Sequence, residues 1–367
     1  LLAELEGISQ HEAEHTVPQK FNYVVATQVY GRMKKNQESK ADDIEFLLQR
    51  HPNLRVAYIE ELRLNREGDI GVYSVLIKGD PATGGTKEIY RVKLPGNPVV
   101  GEGKPENQNH CIIFSRGQHV MAIDMNQDGY FEEALKLRNL LEEFNPPPGR
   151  EKPRIVGFRE HIFTGSVSSL ANYMALQETS FVTLAHRVLE RPLRIRLHYG
   201  HPDLFDKFFM MTNGGMSKAS RGINLSEDVF AGYSYTLRGG YVRFCEYAQV
   251  GKGRDVGMQQ IYKFEAKLSQ GAAEQSISRD VSRLCQRLDF YRLFSFYYGG
   301  IGHYLTNVIV ICALQAVSYV LSLLALYDRE EIGGRPIEPS GTRQLILAGG
   351  GLLQTLPLFF TLSVEKG

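Results

Sequence analysis

The chain has 367 residues, 42 Lys and Arg against 41 Asp and Glu, with 23% charged and 43% hydrophobic positions. This length allows a sizeable core in one large domain or two smaller ones, and the composition excludes a disordered tail, a collagen-like repeat and a protein that holds nucleic acid through net positive charge. The mean hydropathy of −0.24 suggests a soluble protein, but an average over so many residues conceals local apolar runs.

Residues 1–20 are mixed and mostly acidic with no long apolar run, so no signal peptide is expected, and the segment reads as a linker or a cut end. Strand-like runs at 21–26 and 55–59 bracket a helical pattern at 40–50, the βαβ signature of an α/β domain. Residues 71–78 and 88–93 predict a hairpin around the turn-rich 80–85. Two further strands are expected at 111–114 and 120–123, one amphipathic helix at 130–144, and a strand at 153–158. The proline run 146–148 between the last two is a surface loop within one domain. Cys111, Cys245, Cys285 and Cys312 form no CxxC pair or zinc spacing, which fits reduced thiols in the cytosol.

The C-terminal part is different. Residues 289–298 are densely aromatic, so 289–302 is expected to be an interfacial helix on a membrane surface, or a packed core segment. The uncharged run 304–327 is long enough to cross a bilayer core of about 30 Å, giving a transmembrane helix at 303–327. A second span is expected at 345–363 despite Gly349, Gly350, Gly351 and Pro357. Arg279, Arg283, Arg287 and Arg292 precede the first span, and basic residues beside a span favour the cytoplasmic side.

Several motifs imitate known sites. Residues 124–130 match the opening of a calcium loop, but its twelfth position is Leu135 rather than a bidentate glutamate. The spacing at 251–257 is GxGxxxG, not that of a dinucleotide loop, and 101–104 lacks the spacing and hydroxyl of a phosphate-binding P-loop. Five polar loops remain, at 101–110, 123–128, 198–203, 226–228 and 251–257, and loops at strand ends are where α/β folds bind ligands. Lys104 and Lys252 sit in glycine-flanked loops that can bring an ammonium to a diphosphate. Glu227 and Asp228 can supply a general base; equally, they are the acidic first turn of a helix capped by Ser226. Gln275 and Arg279, four apart, are expected on one helix face suited to gripping a sugar or phosphate.

The segments 103–110 (GKPENQNH), 123–134 (IDMNQDGYFEEA), 163–170 (FTGSVSSL), 197–203 (LHYGHPD), 217–228 (SKASRGINLSED) and 249–257 (QVGKGRDVG) together resemble the catalytic region of the 1,3-β-glucan synthases, the callose synthase and fungal glucan synthase family, and lie nearer to its plant-type members. The resemblance runs from about residue 21 to 327 with the motifs in order. It implies a GT-A-like glycosyltransferase domain at 21–288 followed by transmembrane helices, in a longer multi-pass plasma-membrane protein with a cytosolic catalytic domain. The implied reaction is inverting transfer of glucose from UDP-glucose to a growing β-1,3-glucan, with a Rho-type GTPase as regulator.

On that resemblance Glu227 or Asp228 is the catalytic base, and Lys104, Asn107, Asp124, Asn126, Asp128, Lys252 and Arg254 bind the donor. Gln275 and Arg279 lie on the acceptor side, although no Trp is present to complete the Gln-x-x-Arg-Trp pattern of related synthases. Ala273 and Cys285 stand where the family usually has Gly. No cofactor is assigned, and dependence on a divalent cation such as Mg stays open because 124–128 is not a clean Asp-x-Asp. An inactive scaffold homologue would not need these residues, whereas a synthase of another β-glucan linkage would keep them.

Overall fold

The computed structural model describes residues 4, 6–63, 70–100, 103–191, 203–221, 223 and 226–328. The expected span at 345–363 and the histidines at 198 and 201 lie outside them. The chain divides into two compact units, residues 1–304 and 305–367.

Helix α1 (Gln10–Lys20) begins at Ser9, whose hydroxyl accepts from the Glu12 N–H at 3.2 Å while Glu12 accepts from the Ser9 N–H at 3.0 Å. This reciprocal capping makes a helix of part of the supposed linker, and α1 buries none of its residues. Strand β1 (Tyr23–Ala26), helices α2 (Tyr30–Lys35) and α3 (Ser39–Arg50), and strands β2 (Leu54–Arg63), β3 (Ile70–Gly79) and β4 (Thr86–Lys93) follow. They form a sheet in the order β1-β2-β3-β4, with β1 and β2 parallel and the other pairs antiparallel. The expected βαβ unit and hairpin are therefore both present. Leu48 and Ala41 of α3 pack with Val56, Val75, Ile77 and Tyr30 on one face. Each such large apolar side chain contributes about 1.5–3 kcal/mol by leaving water. Contact is close enough that a Cβ on Gly79 would lie 2.4 Å from the Leu48 carbonyl oxygen.

Next come α4 (Lys104–Cys111), a 3-10 turn (Ile112–Phe114), β5 (His119–Met121), β6 (Gln127–Asp128), α5 (Phe131–Leu135) and α6 (Leu137–Glu142). Two expectations fail here. Residues 111–114 are not a strand but the end of α4 and its 3-10 continuation, with Ile112 and Phe114 buried. Residues 130–144 form two short helices that part at Lys136, whose ammonium bonds the Glu133 carboxylate at 2.7 Å and the Tyr247 carbonyl at 3.1 Å.

The remaining elements are β7 (Pro153–Phe163), α7 (Ser169–Glu178), α8 (Ala185–Glu190), β8 (Asp203–Asp206), α9 (Lys207–Thr212), α10 (Glu227–Leu237), β9 (Tyr241–Gly253), α11 (Met258–Ser276), α12 (Arg279–Cys285), α13 (Phe290–Phe296) and α14 (Gly302–Asp328). A second mixed sheet runs β5-β8-β7-β9-β6, with β7 parallel to β9. Helix α10 is enclosed on two sides. Ala231 and Tyr235 join the sheet core of Ile155, Phe205 and Val242, while Val229, Phe230 and Tyr233 join Val281, Leu284 and Phe296.

Residues 290–296 form a helix that continues through a π-helical turn, 297–301, into α14. Phe296 is fully buried whereas Phe290 and Tyr291 are 60% and 72% exposed, so the aromatic segment is partly core and partly surface. Within α14, Tyr304–Leu323 has a mean hydropathy of 1.8 and none of it is buried, so by length and composition it can cross a membrane. It is the one such helix among the described residues. The fold is thus mixed α/β with two mixed sheets and one strongly apolar helix.

Candidate active site

Helix α4 starts at Gly103, which has φ +90°, a conformation that favours glycine. The Gly103 N–H donates to the Glu106 carboxylate at 2.7 Å, and Pro105 occupies the first turn, where its missing N–H costs nothing. The next three polar residues tie α4 to its surroundings. Asn107 accepts from the Gln28 N–H and donates to the Ala26 carbonyl, both at 2.9 Å, so its amide fixes the end of β1. Gln108 accepts from the Ser217 hydroxyl at 2.6 Å. Asn109 accepts from the N–H groups of Met216 and Ser217 and donates to the Ser217 carbonyl. At the end of α4, buried His110 bonds Ser74 on β3 at 2.9 Å, and burial pushes its pKa down to about 4, leaving a neutral ring.

This anchoring sets Lys104 at the first turn of α4 against the head of α10. The Lys104 ammonium is 3.2 Å from the Glu227 carboxylate, with 42% of the lysine side chain exposed and 9% of the glutamate's. Partial burial draws the Lys104 pKa down, but the charges of Asp228, Glu227 and Asp124 outweigh it and hold the pKa above the usual lysine value. Lys104, Asp124, Glu227 and Asp228 therefore share one electrostatic site. Asp228 is half-buried, and its Oδ1 accepts from the Val229 N–H at 2.9 Å.

Lys252 lies near the end of β9, opposite Gln127 of β6 and Ile162 of β7. Its side chain is only 5% exposed; Nζ is 3.3 Å from Asp124 and 3.6 Å from Glu160 of β7. Glu160 is buried with Glu178 of α7 as a neighbour. Burial raises the Glu160 pKa to about 9, the neighbouring Glu178 carboxyl adds to this, and Lys252 and Arg254 oppose it. Glu160 is thus a neutral carboxyl at pH 7. Arg254 completes the cluster, 3.7 Å from Glu178 and 4.2 Å from the Phe264 ring centre. It lines an open cleft of about 510 Å³ with Asn126, Asp255, Gln260, Phe163 and Phe264.

Asn126 holds the 124–128 loop to the β9 end, donating to the Gly253 carbonyl at 2.8 Å while its own carbonyl accepts from the Gly253 N–H at 2.8 Å. Asp128 is exposed and accepts from the Gly129 N–H at 2.7 Å. Among the described residues no three His, Cys, Asp or Glu side chains gather in a cluster that could hold a metal ion. Asp124 instead faces an ammonium, that of Lys252.

Gln275 and Arg279 are not brought together on one helix face. Helix α11 ends at Ser276, and a new cap, the Ser278 hydroxyl accepting from the Val281 N–H at 3.2 Å, starts α12 at Arg279. Arg279 is exposed, whereas Gln275 is buried against α10, donating to the Ser226 hydroxyl at 3.2 Å and accepting from the Tyr233 hydroxyl at 3.0 Å. Ser226 occupies the N-cap position of α10, but its hydroxyl makes no cap bond to that helix. Glu160, Glu178 and the Ser226–Gln275 contact were not visible in the sequence, because each joins residues distant along the chain.

The model of the family described as 1,3-beta-glucan synthase component matches residues 3–338. The chain belongs to the 1,3-β-glucan synthase family. It is 56% identical to callose synthase 9 of Arabidopsis thaliana over 317 residues, 86% of this chain and 17% of that protein. It is 52% identical to callose synthase 11 over 353 residues, 95% of this chain and 20% of the relative, and 48% identical to callose synthase 10 over 371 residues, 98% and 19%. The chain thus spans about a fifth of the length of these 1,3-β-glucan synthase relatives.

Proposed function

We propose that this chain is the catalytic region of a membrane-embedded 1,3-β-glucan (callose) synthase that transfers glucose from UDP-glucose to a growing glucan with inversion. The observation that carries this is the convergence of Lys104 with Glu227 and Asp228 at two helix starts, in a chain of this family. UDP-glucose is an α-glycoside and the product is β, so one in-line displacement suffices. The acceptor 3-hydroxyl attacks the anomeric carbon, a base takes its proton, and cations take up the charge that grows on the departing diphosphate.

Asp228 is the base on this reading. Glu227 is buried and engaged by Lys104, whereas Asp228 is half-buried beside it. Lys104, with much of its side chain exposed, can move from Glu227 to a phosphate oxygen. Lys252 is the second cation and Asp124 sets its position. The donor domain takes a GT-A-like arrangement in this account, and α14 is a membrane span of a multi-pass plasma-membrane protein with this region in the cytosol. The regulatory Rho-type GTPase is supported only by the family resemblance.

Membranes carrying the intact protein, given radiolabelled UDP-glucose, should make a polymer that a 1,3-β-specific glucanase digests. A resistant polymer would assign another linkage, and no polymer would make the chain a scaffold.

A further inference from the structure

Ser226, Gly271, Gln275 and Tyr233 form a buried contact between α10 and α11 that the reaction as described does not use. A serine before a glutamate-aspartate pair is well suited to cap its own helix, yet the Ser226 hydroxyl makes no cap bond to α10 and is only 4% exposed. It meets Gln275 Nε2 at 3.2 Å, and Gln275 Oε1 accepts from the hydroxyl of fully buried Tyr233 at 3.0 Å. One amide on α11 thus holds α10 at two points, its cap residue and a residue two turns along. Gly271, one turn before Gln275, lets the helices come this close. A Cβ there would lie 2.2 Å from Ser226 Oγ but 3.6 Å from Ser226 Cβ, an ordinary contact.

We infer that Gln275 and Gly271 are positioning residues that aim Glu227 and Asp228 by fixing Ser226, rather than residues that grip the glucan. The inference rests on the transferase reading above. Gln275 already has a buried partner on its oxygen and another on its nitrogen, and both partners belong to the helix that carries the acidic pair. Rotating α10 would swing Asp228 away from the acceptor hydroxyl, and a displacement of about 1 Å can cost about 100-fold in rate.

The test uses the intact protein in membranes with radiolabelled UDP-glucose, measuring kcat and KM for the donor. Gly271→Ala should lower kcat about 10- to 100-fold by driving its methyl into Ser226 Oγ. Adding Ser226→Ala removes that atom, so Gly271→Ala with Ser226→Ala should return to the activity of Ser226→Ala alone. A double variant no better than Gly271→Ala overturns the inference. Should Gly271→Ala fail to fold, a second pair still decides. Gln275→Ala and Ser226→Ala should each lower kcat, with KM within about twofold, and together be no worse than Gln275→Ala alone, which already breaks the contact that Ser226→Ala removes. Losses that multiply, or a rise in KM at constant kcat, would return Gln275 to direct substrate contact. If the unaltered protein makes no polymer, it is the transferase reading that fails.

Discussion

Lys104 and Lys252 are both lysines facing carboxylates, and they differ in almost everything else. Lys104 stands at a helix start with 42% of its side chain exposed and the Glu227 carboxylate at 3.2 Å. Lys252 is sealed in a strand at 5% exposure, between Asp124 and a carboxyl that burial keeps neutral. Each pair has one buried partner, Glu227 in the first and Lys252 in the second, and the more exposed side chain is the one that can exchange partners. The first suits a cation that can move to the negative charge of a ligand, and the second a fixed field around which the 124–128 loop is built.

The contrast can be broken in several ways, beginning with the largest effect. Glu227→Gln with Asp228→Asn should reduce polymer synthesis by about 100- to 10,000-fold, the range of a lost general base, while UDP binding stays within about threefold. Normal synthesis would show that the open site is not catalytic. Lys104→Ala should lower turnover about 100-fold, as loss of one preorganised charge donor does. Lys252→Ala should do the opposite in proportion, mainly weakening UDP binding, because the buried ammonium that faces Asp124 is gone. Equal effects of the two variants on turnover and on UDP binding would erase the distinction.

Asn107→Ala should cost about 1–3 kcal/mol, by leaving the Gln28 N–H and the Ala26 carbonyl without their partner, and should affect UDP binding only through stability. Glu160→Gln has the smallest expected effect near pH 5 and a definite pH dependence. The native carboxyl, raised to about 9, holds a proton that the unfolded chain releases near pH 4.3, so the wild type loses stability as pH rises between these values. Glutamine has no proton to hold. Its stability gain over wild type should therefore grow from pH 5 to pH 9, and a gain that stays constant over that range would mean the carboxyl is ionised.

Much of the fold was legible because its signals are local. The alternation at 21–26 and 55–59 and the helix between them foretold β1, α3 and β2 correctly. The misreadings have physical causes. Residues 112–114 are Ile-Ile-Phe, which looks like a strand, while the preceding Lys-Pro-Glu-Asn-Gln-Asn-His has no apolar period and hides a helix held by its polar contacts. Lys104, Asp124, Glu227, Asp228 and Lys252 could be named from their loops, and they do share or adjoin one charged site. Asn107 and Gln275 carried the same signal but spend their amides within the protein, a difference fixed only by tertiary contacts. Glu160 and Glu178 are ordinary glutamates until β7 packs beside β9 and α7.

The most direct measurement is the steady-state rate of glucose transfer from UDP-glucose by the intact protein carrying Asp228→Asn alone. The account predicts almost no 1,3-β-glucan with UDP affinity retained. Polymer made at the wild-type rate would contradict it.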